Sequence, residues 1–133
     1  MTRRAGLRTC TLDGSTCSDA GTTVDAAVTA DVLSLSADDR AVFLATSLAV
    51  AAVDRGASAT RSVALVGTSP GAPLLEDATS LYVTTKTGIV RVPKAGGAPL
   101  MLAEVADVAA VALDEANVYF VDPARSALLR VAK

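Results

Sequence analysis

The 133-residue chain has no histidine and no tryptophan, and only 3% of its residues are aromatic. Without histidine, one chain cannot build a serine–histidine or cysteine–histidine nucleophile or a histidine-ligated metal site. The formal net charge is −2, whereas nucleic-acid binding needs a basic surface and usually aromatic stacking platforms. The composition therefore argues against these catalytic classes and against a nucleic-acid partner.

Long apolar runs are also missing. The longest one, from Ala41 to Val53, is interrupted by Thr46 and Ser47, and a helix needs roughly 20 apolar residues to span a bilayer. The arginines near the start are not followed by the apolar segment of a signal peptide. We expect no membrane span and recognise no signal peptide in this sequence.

Only two cysteines are present, Cys10 and Cys17, in a polar, turn-rich stretch. They fit a disulfide that closes a short loop in an exported protein, and they fit two unpaired thiols equally well. Two thiols alone make a poor zinc site. Residues 1–21 are predicted to form a flexible N-terminal segment with this loop, and we expect no metal and no cofactor.

The chain is otherwise rich in apolar residues, with 51% hydrophobic and 20% charged positions. That content is too high for a disordered chain, and the length suffices for one domain with a sizeable core. The sequence therefore predicts a folded domain, which we place at residues 22–133.

Segments of this domain align with one another at a period of about 38 residues. Each has an aspartate with an aromatic residue five positions later. The pairs are Asp38 with Phe43, Asp77 with Tyr82 and Asp114 with Tyr119. A second set of anchors ends in basic residues, 39 positions apart, at Arg55, Lys94 and Lys133. The matching offsets predict three units, at about 31–69, 70–107 and 108–133.

Each unit is predicted to contain about four short strands. β-Branched and aromatic residues at 81–85 and 118–121 favour strands, and a turn at 86–88 leads into a hairpin. The Ala-rich segments 41–53 and 103–115 also fit helices. The repeat favours strands there, because 41–53 aligns with a segment of β character in the second unit. A small α+β protein is the alternative.

Residues 77–100, DATSLYVTTKTGIVRVPKAGGAPL, resemble a β-propeller repeat common in large exported bacterial proteins. In that pattern an Asp-x-x-x-Val-Tyr strand precedes Gly-x-Val-x-Arg/Lys-Val-Pro-Lys-x-Gly-Gly. The resemblance covers about residues 31–133 and is weakest in the first unit, where Phe43 replaces tyrosine and Asp54 and Arg55 replace Pro-Lys. It implies an all-β fold with blades of four-stranded antiparallel sheets, about three of them in an incomplete ring. It also implies a periplasmic or secreted protein.

Closed propellers have about 4–8 blades, and the three units supply three at most. The last unit ends after its third predicted strand, and 22–28 is a candidate for the missing outer strand. Two alternatives follow. The chain is part of a longer propeller, or two copies form a six-blade ring by exchanging the strand that contains Val24. The predicted partners are thus further blades or a second copy.

Four residues are weak candidates for contact with an unknown ligand: Tyr82, Tyr119, Arg91 and Arg130. For the tyrosines we favour packing between blades, and for the basic residues, including those that end the units, solvated charges at strand ends. The recurring aspartates could bind a cation, but capping of a turn is favoured. We assign no catalytic, cofactor-binding or metal-binding residue.

The absence of any catalytic constellation favours a non-catalytic repeat module that offers a binding or interaction surface and self-associates or joins further blades. The alternative is a fragment or subunit of a propeller enzyme, a hydrolase or lyase, with its catalytic groups in blades outside this chain. Since fold does not fix activity, the resemblance alone does not choose between them.

Overall fold

The structure, a computed structural model, describes residues 6–8, 23–25, 32–57 and 60–133. Within these ranges the chain forms strands and turns and no helix. The expected all-β fold is confirmed and the α+β alternative is wrong. The predicted loop with Cys10 and Cys17 lies outside the described residues.

Thirteen strands are present in the described ranges. They are β1 (Gly6–Arg8), β2 (Thr23–Asp25), β3 (Val32–Ala37), β4 (Ala41–Thr46), β5 (Val50–Asp54), β6 (Arg61–Ala64), β7 (Leu75–Glu76), β8 (Ser80–Thr84), β9 (Gly88–Pro93), β10 (Leu100–Glu104), β11 (Ala110–Leu113), β12 (Asn117–Asp122) and β13 (Ala127–Ala132). The Ala-rich segment 41–53 forms β4 and most of β5, so tertiary pairing overrides the helix propensity of alanine.

Consecutive strands pair antiparallel and build three blade-like sheets. The first sheet has the order β3-β4-β5-β6, the second β10-β9-β8-β7 and the third β11-β12-β13. β2 pairs with β1, with Val24 opposite Leu7. The sequence makes residues 22–28 a candidate for the outer strand missing from the third unit, or for a strand exchanged between two copies, but among the described strands the partner of β2 is β1.

The second sheet lies between the other two. Side chains on successive strand positions point to opposite faces, and every residue of β8 is buried. Leu81 and Val83 pack in one cluster with Phe43 of the first sheet, whereas Tyr82 packs in another with Phe120 of the third. Each fully buried side chain of this size stabilises the fold by roughly 1.5–3 kcal/mol, so stacking of the sheets supplies the core.

The segment that connects the first sheet to the second forms backbone hydrogen bonds with a strand of each sheet. The Thr68 N–H donates to the carbonyl of Thr46 at 2.8 Å, and the Ser69 N–H donates to the carbonyl of Thr84 at 2.8 Å. Just before them, a Cβ on Gly67 would lie 2.0 Å from the carbonyl oxygen of Ser47. The close approach of the two backbones therefore requires glycine at this position.

Candidate functional site

An aspartate caps the turn between the first two strands of each sheet. Oδ1 of Asp38, Asp77 and Asp114 accepts the backbone N–H groups two and three positions further along, at 2.7–3.0 Å. This is the turn that a short acidic side chain stabilises by replacing a backbone acceptor. The prediction that these recurring aspartates cap turns is confirmed.

In the second and third sheets, the other oxygen of the aspartate accepts a hydrogen bond from the tyrosine five residues later. The hydroxyl of Tyr82 donates to Asp77 Oδ2 at 2.6 Å, and the hydroxyl of Tyr119 donates to Asp114 Oδ2 at 2.7 Å. Phe43 has no hydroxyl to offer. Asp38 Oδ2 accepts instead from Lys94 Nζ at 2.8 Å.

A lysine just after the third strand of the second and of the third sheet reaches back to the preceding sheet. Lys94 Nζ bonds to Asp38 and lies 5.4 Å from the ring centroid of Phe43. Lys133 Nζ lies 3.1 Å from Asp77 Oδ2 and 5.4 Å from the ring centroid of Tyr82. We call this arrangement of lysine, aspartate and ring the inter-sheet lysine contact.

The expectation of solvated strand-end charges is wrong for these two lysines. Only 12% of each side chain is exposed. The long apolar stem of a lysine can lie along a neighbouring surface while its ammonium meets an aromatic face and a carboxylate. Arg55, at the matching position of the first sheet, is exposed.

Lys94 also meets a carboxylate of its own sheet. Its Nζ lies 3.3 Å from Glu76 Oε2, a buried oxygen that has no hydrogen-bond partner within the described part of the chain. The contact is thus an ion pair without good hydrogen-bond geometry. These groups line a cleft of about 580 Å³ at the turns of the first and second sheets, together with Asp38 and Asp77.

The hydrogen bonds fix the charges in this region. The bond from Lys94, helped by the turn N–H groups, lowers the pKa of Asp38 to about 2. Burial raises the pKa of Asp77, but hydrogen bonds from Tyr82 and the turn outweigh it and hold that pKa well below its usual range. Burial opposes the charge of Lys94, yet its carboxylate partners raise its pKa overall. Both aspartates and Lys94 are therefore charged at neutral pH.

Hydrogen bonding and burial also shift the pKa values of Asp114 and Tyr82. The hydrogen bond from Tyr119 lowers the pKa of Asp114. Burial and the adjacent carboxylate of Asp77 raise the pKa of Tyr82, so its phenol stays protonated and acts as a donor. None of these groups is poised to exchange a proton near neutral pH.

The four ligand candidates from the sequence form two cross-strand pairs. Tyr82 lies opposite Arg91, and Tyr119 lies opposite Arg130. Tyr82 is only 2% exposed and packs against the third sheet. Tyr119 is half-buried and Arg130 is exposed. Because Phe120 faces the second sheet, Tyr119 points to the opposite face of the third sheet.

That opposite face is uncovered, although its counterparts in the other sheets are covered. Leu128 is 71% exposed, whereas the residues at the matching position in the second and first sheets, Ile89 and Val50, are both 0% exposed. Val121 lies opposite Leu128 and beside the Tyr119 pair. We call Tyr119, Val121, Leu128 and Arg130 the open face. Sequence reasoning missed it, because only the stacking order shows which face remains uncovered.

The described ranges contain no group of three or more cysteine, aspartate or glutamate side chains placed to hold a metal ion. They likewise contain no helix with the length and apolar character to cross a membrane.

No known family model matches the chain, and no curated protein matches it. The geometry of the sheets therefore carries the functional argument.

Proposed function

We propose that this chain is a non-catalytic module of the β-propeller type that joins further propeller sheets through its open face. The observation that carries the proposal is the contrast between Leu128, 71% exposed, and Ile89, which is 0% exposed at the matching position of the second sheet. A face that is core in one sheet and bare in the next is suited to receive another sheet.

The strand count supports the same proposal. The first and second sheets have four strands, whereas the third has three in the described chain, with β13 at one edge. An edge strand offers unpaired backbone groups to an incoming strand. Since closed propellers have about 4–8 blades, a second copy or the blades of a larger, extracytoplasmic bacterial propeller would supply the rest.

The acidic groups support a structural role. Asp38 and Asp77 use their oxygens for turn N–H groups and for lysine or tyrosine. The carboxylate oxygens are thus already satisfied by hydrogen bonds within the protein, which favours a structural role for them over the binding of a substrate. No contact among the residues that the structure describes favours the alternative of a propeller hydrolase or lyase.

The proposal is tested with the full chain extended at its C-terminus by a second copy of residues 95–133. Lys133 is 39 positions after Lys94, so the added segment continues the sequence in register. It would give the third sheet a fourth strand and place a fourth sheet on the open face. We expect Leu128→Glu to lower the free energy of unfolding by about 3 kcal/mol in the extended chain, because a charge would be buried, and by less than about 0.5 kcal/mol in the natural chain.

Leu65→Glu is the matched control, since Leu65 is 88% exposed and lies outside the open face. Sedimentation equilibrium of the natural chain, with and without Leu128→Glu, tests the second-copy arrangement. If Leu128→Glu costs equally little in both chains and leaves a monomeric natural chain unchanged, the open face receives no sheet and the proposal is wrong.

A further inference from the structure

The inter-sheet lysine contact occurs twice with the same parts. A carboxylate oxygen and an aromatic ring of one sheet receive a lysine from the next, at 2.8 and 3.1 Å from the carboxylate and at 5.4 Å from the ring centroid in both cases. The lysines also share their backbone bond: the N–H of Lys94 donates to Thr79, and the N–H of Lys133 donates to Ala116, in the turn of their own sheet.

The third sheet contains the receiving half of this contact. Asp114 Oδ1 caps its turn and Oδ2 accepts the hydroxyl of Tyr119 at 2.7 Å, as Asp77 and Tyr82 do in the second sheet. The difference is the cation. Among the described residues no lysine or arginine forms an ion pair with Asp114, and its side chain is exposed.

From this repetition we infer that the open face takes a fourth sheet of the same kind, which places a lysine or arginine on Asp114 and the ring of Tyr119. The inference rests on the proposed function and names the chemistry of the partner: an antiparallel sheet with an apolar inner face and a cation directly after its third strand. Asp114 and Tyr119 form the anionic and aromatic half of an inter-sheet lysine contact.

The interface between the second and third sheets shows how apolar side chains would pack between the third sheet and a fourth. Tyr82 and Ile89 of the second sheet pack against Val118 and Phe120 of the third. The open face presents Tyr119 and Leu128 at the matching positions. A fourth sheet with side chains like Val118 and Phe120 would therefore bury a similar surface, and its cation would occupy the edge of the interface beside the turn.

The test is a double-mutant cycle in the extended chain described above. Asp114→Asn is combined with replacement of the final lysine of the added segment by methionine, which keeps the apolar stem and removes the ammonium. Unfolding equilibrium constants come from urea denaturation, and circular dichroism checks that each variant is folded. We expect the two changes to couple by about tenfold in the unfolding constant, the size of one charge-assisted hydrogen bond.

Two controls use residues of the chain itself. Tyr119→Phe should retain the coupling, because Phe43 already serves as the ring beneath Lys94, whereas Tyr119→Leu should reduce it. Replacement by methionine of the arginine that corresponds to Arg125 in the added segment should not couple to Asp114, since Arg125 is 74% exposed.

The outcomes separate the inference from the proposed function. If the coupling is below about twofold while Leu128→Glu still destabilises the extended chain more than the natural chain, the lysine contact is wrong and the joining of sheets stands. If Leu128→Glu costs equally little in both chains, both the lysine contact and the joining of sheets are wrong. If the natural chain associates through the open face, so that Leu128→Glu abolishes the association, and Asp114→Asn leaves the association unchanged, then a second copy covers the face without a cation on Asp114 and the inference is wrong.

Discussion

Lys94 Nζ in the second sheet donates to Asp38 Oδ2 in the first at 2.8 Å, across 56 positions of the chain. The side chains are 12% and 23% exposed, so water screens the pair less than it screens a surface salt bridge. The contact joins the two sheets at their turn ends, beside the apolar cluster that they share. Two further polar bonds join the same sheets: Arg61 of β6 donates to the carbonyl of Lys94 at 2.9 Å, and the Leu74 N–H donates to Ser34 Oγ of β3 at 2.9 Å.

Lys94→Met should destabilise the fold by about 1–3 kcal/mol, the cost of leaving a charged hydrogen-bond partner unsatisfied. Methionine keeps apolar contact with Phe43 but leaves Asp38 and Glu76 without their cation. Urea denaturation of the two proteins measures the difference. Lys86→Met, at an exposed turn position, is the control and should stay within about 0.5 kcal/mol of the natural chain. Equal effects of the two substitutions would show that the ion pair contributes nothing.

Acid should weaken the fold through Asp38. Its pKa is about 2 in the folded chain, against an ordinary value of 3.8, so the unfolded chain binds more protons between these values. The stabilisation is complete above the unfolded pKa and is lost as the pH falls through the folded one. Asp77 acts in the same direction.

Urea denaturation from neutral pH down to about pH 2 should therefore show a falling free energy of unfolding. Asp38→Asn should be less stable at neutral pH and should lose less on acidification. Asp39→Asn, at the exposed neighbouring position, is the control for the removal of one carboxylate from this turn. A slope unchanged by Asp38→Asn would contradict the assigned role of the Lys94 bond.

Removal of the two tyrosine hydroxyls should have unequal effects. Tyr82→Phe deletes the donor to Asp77 in the covered interface and should cost about 1–1.5 kcal/mol. Tyr119→Phe deletes the same bond on an exposed aspartate, where solvent replaces it, and should cost at most about 0.5 kcal/mol. Thermal and urea unfolding of the two variants give the comparison. Equal losses would mean that the open face is covered in solution.

Gly67→Ala should be strongly destabilising, by about 3 kcal/mol. The new methyl group would meet the backbone oxygen of Ser47 at 2.0 Å, so the connection between the first two sheets would have to move. Gly56→Ala is the comparison: its Cβ meets nothing within 4 Å, and its φ of +81° adds a strain of about 1 kcal/mol. A Gly67 variant as stable as the Gly56 variant would show that the connection adapts freely.

The sequence allowed the turn caps and the strands of the second unit to be predicted because both depend on local signals. An aspartate that caps a turn bonds to N–H groups only two and three positions away, so a few neighbouring residues suffice to predict the cap. The strands at 41–46 and 50–54 could be predicted because this Ala-rich segment aligns with the more clearly β-type residues of the second unit.

The inter-sheet contacts could not be predicted in the same way. A lysine after a strand is usually solvated, and the partner of Lys94 is 56 positions away, so only the stacking of sheets brings them together. The equal spacing of 39 residues from Asp38 to Asp77 and from Lys94 to Lys133 was the available signal. β1 has three residues, too few for a periodic pattern, and its pairing with β2 was missed.

The burial of β8 on both faces also sets the order in which backbone amides become accessible to solvent deuterium. Opening the second sheet disrupts both clusters that it shares with its neighbours, so its amides should exchange only through global unfolding. The third sheet contacts a neighbour through one cluster and should open by itself at lower free energy. Strand by strand, β8 should exchange most slowly, and β13, at the edge of the third sheet, should exchange well before it.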